Sequence, residues 1–327
     1  MPASRGKSGC LLHVSDFVLE GIDKTEDGKM ERLSLRVPDF CLQAGEVTAV
    51  IGGSGCGKSV LLSLIMGSPA FGIGGRLDFT GFSQFGEAMP KNAFRTVCAA
   101  NRWRRQLRKS GELFYLPQFF PVAKAQRQKT AAMILQVVQA LTMGSRFKTD
   151  DLIKRIRSKF EKYRMADVLG KSISELSGGE RRRAELIARI VAMEMAGRPG
   201  LLVLDEPTTG FDPVNALDFV REVRLAVDEL VEAGISVGAV LTTHEMKCLD
   251  DVVNDNAKRV IDRVCVVHRN PHENEVNCTV RFDGPTDAVW QKFFSDGVVR
   301  TFARDAETLF EKVKSMGEDI AHDKEVV

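Results

Sequence analysis

A single glycine-rich stretch determines the architecture expected for this chain of 327 residues: Gly52-Gly53-Ser54-Gly55-Cys56-Gly57-Lys58-Ser59. It fits the pattern G-x-x-x-x-G-K-[ST] of a phosphate-binding loop. An apolar, β-branched segment at residues 46–51 precedes it, and residues 60–66 begin a helix after it. Because strand, loop and helix are the context that this motif needs, the sequence predicts a binding site for a nucleoside triphosphate.

The chemistry of the loop follows from its glycines. They let the backbone turn so that its N–H groups point into one hollow, beside the positive end of the helix dipole. All eight residues of the loop are therefore candidate nucleotide ligands. Lys58 is expected to reach the β- and γ-phosphates, and the Ser59 hydroxyl is expected to bind Mg²⁺.

Composition indicates an ordinary globular protein, with 44% hydrophobic and 28% charged residues. The net charge of +2 identifies no partner, and a nucleic-acid partner is not expected. The sequence contains no apolar run of about 18 residues, so it predicts no membrane-spanning segment. Residues 1–9 are predicted to be a disordered tail without a secretory signal. The seven cysteines show no metal-ligand spacing, which favours reduced cytosolic thiols over the alternative of a zinc site.

Before the loop, short apolar segments alternate with polar turns. Strands are predicted at residues 11–14, 17–19, 33–37 and 40–42, and they indicate a small antiparallel sheet that precedes the nucleotide-binding strand. Phe17 is the candidate for stacking on a purine ring. The alternative is that Phe17 belongs to the core.

A basic insert over about residues 86–110 follows the first helix. Residues 91–109 contain seven basic residues and no acidic one. One interpretation is a solvated helix face; the other is contact with anionic lipid headgroups or with an acidic partner.

A helical subdomain is predicted over about residues 120–195. It follows a strand at 113–116 and contains helices at 131–138 and 152–163. Near its end, Ser177 and Glu180 have the spacing of a helix capping box. The intervening Gly178 and Gly179 leave N–H groups facing outward at the helix start, which predicts a second anion site.

Acidic and polar residues follow two predicted core strands. The apolar run 200–204 ends at Asp205 and Glu206, and the run 235–241 is followed by His244. Further on, strands at 259–267 and 278–282 are predicted to form a hairpin with a polar loop at 270–275. Residues 291–327 are predicted to be a C-terminal helix and polar tail.

In this order the motifs resemble those of the ATP-binding cassette (ABC) ATPases, the nucleotide-binding subunits of ABC transporters, over residues 10–290. The residues that carry the resemblance are the phosphate-binding loop, the Q-loop Gln118, the signature Leu176-Ser177-Gly178-Gly179-Glu180, the Walker B run 202–207, the D-loop Asp212 and the switch His244. The signature discriminates most, because other phosphate-loop ATPases lack it. The resemblance implies an α/β fold: a P-loop NTPase parallel-sheet core with an antiparallel β subdomain and an inserted helical subdomain.

The roles of the matching residues combine this resemblance with their chemistry. Asp205 is assigned to Mg²⁺, with Gln118 and Ser59 as further metal ligands, and Gln118 is also expected to contact the attacking water through its amide oxygen. Glu206 is assigned as general base or water-positioning residue, and His244 as a sensor of the γ-phosphate. The resemblance further implies that two cassettes pack head to tail, with Ser177 and Gly179 of one closing over ATP bound to the other. Arg189, the last arginine after the signature, lies one residue later than the corresponding arginine in the usual family pattern. It is therefore not assigned a role.

The function expected is therefore ATP hydrolysis that drives a separate transmembrane permease subunit, by a homodimer on the cytoplasmic face of a membrane. Two alternatives remain open. One is a soluble ABC ATPase that serves no transporter, such as an assembly scaffold or a DNA-maintenance ATPase. The other is an envelope-remodelling complex that uses its ATPase without moving a solute.

Overall fold

A computed structural model describes residues 9–24, 30–53, 55–66, 76–78, 80–88, 111–117, 128–142, 147–243, 249, 252–253, 258–272 and 275–293. The predicted tail before Gly9, the basic stretch 91–109 and residues 294–327 lie outside these ranges. The strands in chain order are β1 (Cys10–Lys24), β2 (Met30–Gln43), β3 (Val47–Ile51), β4 (Arg76–Asp78), β5 (Gly81–Gln84), β6 (Glu87–Ala88), β7 (Glu112–Leu116), β8 (Gly200–Leu204), β9 (Val237–Thr242), β10 (Val252–Val253), β11 (Lys258–Arg259), β12 (Arg263–His272) and β13 (Glu275–Pro285). The α-helices are α1 (Lys58–Ile65), α2 (Thr130–Leu141), α3 (Thr149–Lys162), α4 (Gly178–Ala196), α5 (Pro213–Glu232) and α6 (Thr286–Phe293), and two short 3-10 helices span Ala166–Gly170 and Ile173–Glu175.

Within the described ranges, 11 strands form one mixed sheet. Their order is β6-β5-β1-β2-β13-β12-β3-β9-β8-β7, with β4 paired to β1. The strands from β12 to β7 run parallel to one another, whereas β1 pairs antiparallel with β2, β4 and β5. This mixed sheet with its helices confirms the predicted α/β fold class.

The hairpin of β12 and β13 lies in the middle of this sheet. β12 pairs parallel with β3, and β13 pairs parallel with β2. The hairpin therefore joins the predicted antiparallel strands before β3 and the parallel core into one sheet. The predicted loop at residues 270–275 is too long, since backbone pairing continues to His272 and resumes at Glu275 whatever the polarity of the side chains.

The predicted short strands before β3 merge into two long ones. Segments 11–14 and 17–19 both belong to β1, and segments 33–37 and 40–42 both belong to β2. The register places Asp16 opposite Pro38, because Ser15 pairs with Asp39 and Phe17 with Val37. Asp16 has a φ of +48°. This local irregularity lies opposite a proline that lacks an N–H donor, and the pairing resumes on both sides.

Both faces of the parallel strands are covered, which explains why these strands are continuously apolar. On β3, Val47, Ala49 and Ile51 contact a cluster shared with α2, α3, α4 and α5. The alternate residue Val50 contacts a second cluster, to which α1, β1 and β2 contribute. The carboxyl ends of β3, β8 and β9 consequently meet the start of α1 at one edge of the sheet. In the described part of the chain, no helix is both long and apolar enough to span a bilayer.

Candidate functional site

The loop between β3 and α1 contains two positions that have no room for a side chain. Gly57 has a φ of +99°, and a Cβ there would lie 2.9 Å from both Cβ and Sγ of Cys278. A Cβ on Gly52 would lie 2.4 Å from the carbonyl oxygen of Val267. Because both distances are shorter than carbon tolerates, only glycine lets the loop lie directly against the β12–β13 hairpin.

Lys58 begins α1 and is buried inside the loop. Its Nζ donates hydrogen bonds to the carbonyl oxygens of Gly52 and Gly53, each at 3.0 Å. An ammonium group has three donors, so one N–H can serve a phosphate oxygen. Cys56 is buried with its thiol pKa raised by that burial, and Ser54 lies outside the described residues.

The Ser59 hydroxyl and the Asp205 carboxylate are brought together at the sheet edge by a hydrogen bond between them. Burial raises the pKa of Asp205, and hydrogen bonds from Thr242 and Ser59 oppose this rise. Magnesium prefers hard oxygen ligands and commonly takes only one or two from the protein, with the rest from phosphates and water. The pair of oxygen donors on Ser59 and Asp205 fits this requirement.

Glu206 follows Asp205 in a sharp turn, with a φ of +40°. Its backbone N–H donates to Thr242 Oγ1 at 2.6 Å, and the same hydroxyl donates to Asp205 Oδ1 at 3.0 Å. One buried threonine on β9 therefore fixes both acidic residues at the end of β8. The Glu206 carboxylate accepts a hydrogen bond from Thr209 Oγ1 at 3.3 Å.

A cavity of about 170 Å³ opens beside Glu206. Its lining residues come from the turn after β8, from the start of α5 and from the end of β9: Glu206, Thr208, Thr209, Phe211, Pro213, Ala216 and Thr243. The cavity thus provides space for small molecules next to the Glu206 carboxylate.

The signature residues form the start of α4. Ser177 caps the helix, because its Oγ accepts from the Glu180 N–H at 3.1 Å while Glu180 Oε2 accepts from the Ser177 N–H at 2.8 Å. Lys171 Nζ holds the other oxygen of Glu180 at 2.8 Å. Ser177 and Gly178 are exposed and Gly179 is partly exposed. The capping box predicted from the sequence is confirmed, and the helix start faces solvent.

Asp212 caps the next helix, α5. Its Oδ1 accepts from the N–H groups of Val214 and Asn215, each at 3.1 Å. A hydrogen bond from the Asn215 side chain, together with these two from the backbone, lowers the pKa of Asp212. In this chain the Asp212 side chain therefore orders the turn that leads from Glu206 into α5.

The prediction that Phe17 stacks on a purine is wrong in this structure. Phe17 is only 1% exposed and belongs to the cluster shared by β1, β2 and α1. A buried ring cannot offer a face to a ligand, so the core alternative is correct. Gln118 and His244 lie outside the described residues, and their assigned roles stay predictions.

Sequence reasoning missed three residues that support the site. Besides Thr242, the Tyr115 hydroxyl donates to Asp205 Oδ2 at 3.4 Å. The Tyr115 carbonyl accepts from Nε of buried Arg189 at 2.7 Å, which ties α4 to β7. Burial lowers the pKa of Arg189 to about 10. The position of Thr242 at the end of a core strand could have identified it from the sequence. The contacts of Tyr115 and Arg189 could not be found in this way, because they join distant parts of the sequence.

Comparison with known proteins agrees with this geometry. A family model described as ABC transporter matches residues 35–209, more than half of the chain. The phosphate import ATP-binding protein PstB 3 of Synechocystis sp. is 28% identical over 256 residues, which cover 78% of this chain and 79% of that protein. The phosphate import ATP-binding protein PstB 1 of Vibrio parahaemolyticus is 30% identical over 242 residues, covering 72% of this chain and 73% of that protein.

A solved structure supports the fold. The cbiO1 protein from Clostridium perfringens, part of the ABC transporter complex cbiONQ, aligns with a TM-score of 0.55 at 20% identity, covering 90% of this chain and 94% of that one. This chain belongs to the ABC transporter family, as one of its ATP-binding cassettes.

Proposed function

We propose that this cassette hydrolyses ATP with the help of Mg²⁺ and thereby drives a separate transmembrane partner. The observation that carries the proposal is the bridge made by Thr242, which joins Asp205 to the Glu206 backbone at 3.0 and 2.6 Å. Because Asp205 also bonds to Ser59 at the start of α1, the phosphate loop, the metal ligands and the candidate base share one edge of the sheet.

Each residue of this edge has a step in the proposed reaction. Lys58 and the loop N–H groups bind the phosphate chain and exclude water from it. Ser59 and Asp205 would hold Mg²⁺, which would supply positive charge to offset the charge that develops on the phosphates. Glu206 orients the attacking water toward the γ-phosphate and accepts its proton. The Thr209 hydroxyl holds the Glu206 carboxylate at 3.3 Å in the direction of the adjacent cavity.

We also propose that two copies pack head to tail. The exposed start of α4 presents the N–H groups of Gly178 and Gly179, which have no partner within the helix and suit the γ-phosphate of a nucleotide on a second copy. Val214, next to the Asp212 cap, is 69% exposed. A closing copy would cover it.

The principal test is Glu206→Gln. An amide cannot accept the proton, so we expect ATP binding to persist while phosphate release falls at least about 100-fold. With ATP and Mg²⁺ the variant should elute as a dimer in size-exclusion chromatography. Glu232→Gln, at the exposed end of α5, makes the same chemical change away from the site and serves as control. Wild-type turnover by Glu206→Gln would contradict the assignment.

The transmembrane partner requires a separate test. The relatives named above are ATP-binding proteins of transport systems, and this chain is proposed to work likewise at the cytoplasmic face of a membrane. We expect a membrane protein to co-purify from detergent-solubilised membranes. Recovery of the active ATPase without any membrane protein would favour a soluble cassette that serves no transporter.

The basic stretch 91–109 is proposed to contact anionic lipid or an acidic part of the partner. Each basic residue near an anionic leaflet contributes about 1 kcal/mol. Reversal of Arg102, Arg104, Arg105 and Arg108 to Glu should leave the ATPase rate in solution intact. The variant should sediment less with vesicles that contain anionic lipid, whereas unchanged sedimentation and unchanged assembly would refute this role.

A further inference from the structure

The β12–β13 hairpin places an arginine against the phosphate-binding loop. Val266 pairs with Ile51, the last residue of β3, so β12 continues beyond that strand and alongside the loop. Three residues after Val266, one terminal guanidinium nitrogen (Nη1) of Arg269 lies 3.3 Å from the position that a Cβ on Gly55 would take. Arg269 is therefore within contact distance of the middle of the loop, whereas Lys58 binds the carbonyls of Gly52 and Gly53 at its beginning.

The half-buried Arg269 differs in its ion pairing from two buried arginines, Arg224 on α5 and Arg263 on β12. Arg224 is paired with Asp262 and Asp228, each at 2.6 Å, and Arg263 is paired with Asp283 at 2.8 Å. Nε is buried without a hydrogen-bond partner in all three arginines, but Arg269 alone of the three has no ion pair among the described residues. Leaving a partly buried cation without an anion is costly, which natural proteins avoid unless the group binds something.

We propose that Arg269 is a second nucleotide-binding cation, which contacts the phosphates that ATP and ADP have in common. This inference rests on the proposed function of the loop. The N–H groups in the middle of such a loop cradle the α- and β-phosphates, and Lys58 serves the β- and γ-phosphates. Arg269, at Gly55, therefore lies nearest the former pair. Its planar fork of five donors binds two phosphate oxygens at once.

The position also explains why Gly55 must lack a side chain. Gly55 has a φ of +69°, and a Cβ would press against the guanidinium at 3.3 Å. A side chain there would separate the arginine from the loop. Gly55 therefore leaves the approach of Arg269 to the bound phosphates open.

The test is the affinity of the full-length protein for ATP and ADP, measured by displacement of a fluorescent nucleotide analogue. Loss of a charge-assisted, bidentate contact predicts that Arg269→Gln weakens both nucleotides by the same factor, roughly 10-fold or more. Arg269→Lys retains the charge but not the fork, so its affinity should lie between those of wild type and Arg269→Gln. Arg157→Gln, an exposed position on α3, makes the same change in net charge away from the loop and should bind as wild type does.

The outcomes separate this inference from the proposed function. If the wild-type protein binds neither nucleotide, the proposed function itself fails. If the wild type binds both and Arg269→Gln binds them equally well, only the role of Arg269 is overturned. A loss confined to ATP also overturns it, since that would place the contact on the γ-phosphate. Equal weakening by Arg269→Lys and Arg269→Gln would exclude a contact that depends on charge.

Discussion

Replacing Thr242 by valine tests how the acidic pair is held. The Thr242 side chain is fully buried, donates to Asp205 Oδ1 and accepts from the Glu206 N–H. Valine has nearly the same shape and keeps the β-branched geometry that suits a central strand. Thr242→Val therefore removes two hydrogen bonds and adds no void.

The magnitude follows from the groups left behind. A hydrogen bond to a charged group contributes about 1.5–3 kcal/mol, and a buried donor without a partner costs about 1–3 kcal/mol. The added methyl group returns about 0.8 kcal/mol of burial free energy. We therefore expect Thr242→Val to lower the free energy of unfolding by about 2–4 kcal/mol, and to slow ATP hydrolysis because Asp205 and Glu206 lose their common support.

The chain provides a matched control in Thr48 on the neighbouring strand β3. Thr48 is 1% exposed, and its Oγ1 is buried without a hydrogen-bond partner in the described structure. Thr48→Val removes a hydroxyl that bonds to nothing there, so it should be neutral or should stabilise by up to about 1 kcal/mol. The same chemical change thus has opposite expected effects on two adjacent strands.

Urea denaturation of the wild type and both variants, followed by circular dichroism, measures the difference. The Thr242→Val midpoint should fall clearly below that of the wild type, while the Thr48→Val midpoint stays or rises. Equal midpoints for the two variants would refute the reasoning, because stability would then depend on loss of a buried hydroxyl and not on its bonds.

Three further outcomes are expected. Lys58→Ala should weaken ATP binding by roughly 100-fold, since it removes the ammonium inside the loop, and unchanged affinity would remove the phosphate-loop assignment. Gly57→Ala should abolish nucleotide binding, measured by displacement of a fluorescent nucleotide analogue, because its Cβ meets Cys278 at 2.9 Å and its φ is +99°; normal binding would show that the loop can shift. The Cys10 thiol should be alkylated by iodoacetamide with a midpoint near pH 7, followed by peptide mass spectrometry, because its pKa is lowered to about 7 by a hydrogen bond with Cys41; a midpoint above about pH 8.5 would contradict this.

The parts of the site that depend on neighbouring residues were predictable from the sequence. The phosphate-binding loop lies between β3 and α1 as its flanks indicated, and the Ser177 cap needs only Glu180 three residues later. The position of Asp205 at a strand end follows from the apolar run before it. In each case the residues of one short segment were enough to predict the feature.

The parts that depend on distant residues were not predictable in this way. Thr242 contacts Asp205 across 37 positions, and Arg189 contacts Tyr115 across 74. A strand also alternates its faces, and nothing local to Phe17 says that its side of β1 packs in a core cluster with residues of β2 and α1. The central position of the β12–β13 hairpin was not predictable for the same reason, because its pairing with β2 and β3 depends on the whole sheet.

That hairpin has a consequence for how the chain folds during synthesis. β2 and β3 leave the ribosome early, but the strands that lie between them, β13 and β12, are made more than 200 positions later. Until then the inner edges of both halves expose unpaired backbone groups, which is the condition that favours misassembly with other chains. Such long-range pairing also slows folding, because the entropy of closing the chain must be overcome first. A chain shortened before residue 263 should therefore retain the phosphate-binding loop in its sequence yet accumulate as aggregates, with its two half-sheets never joined.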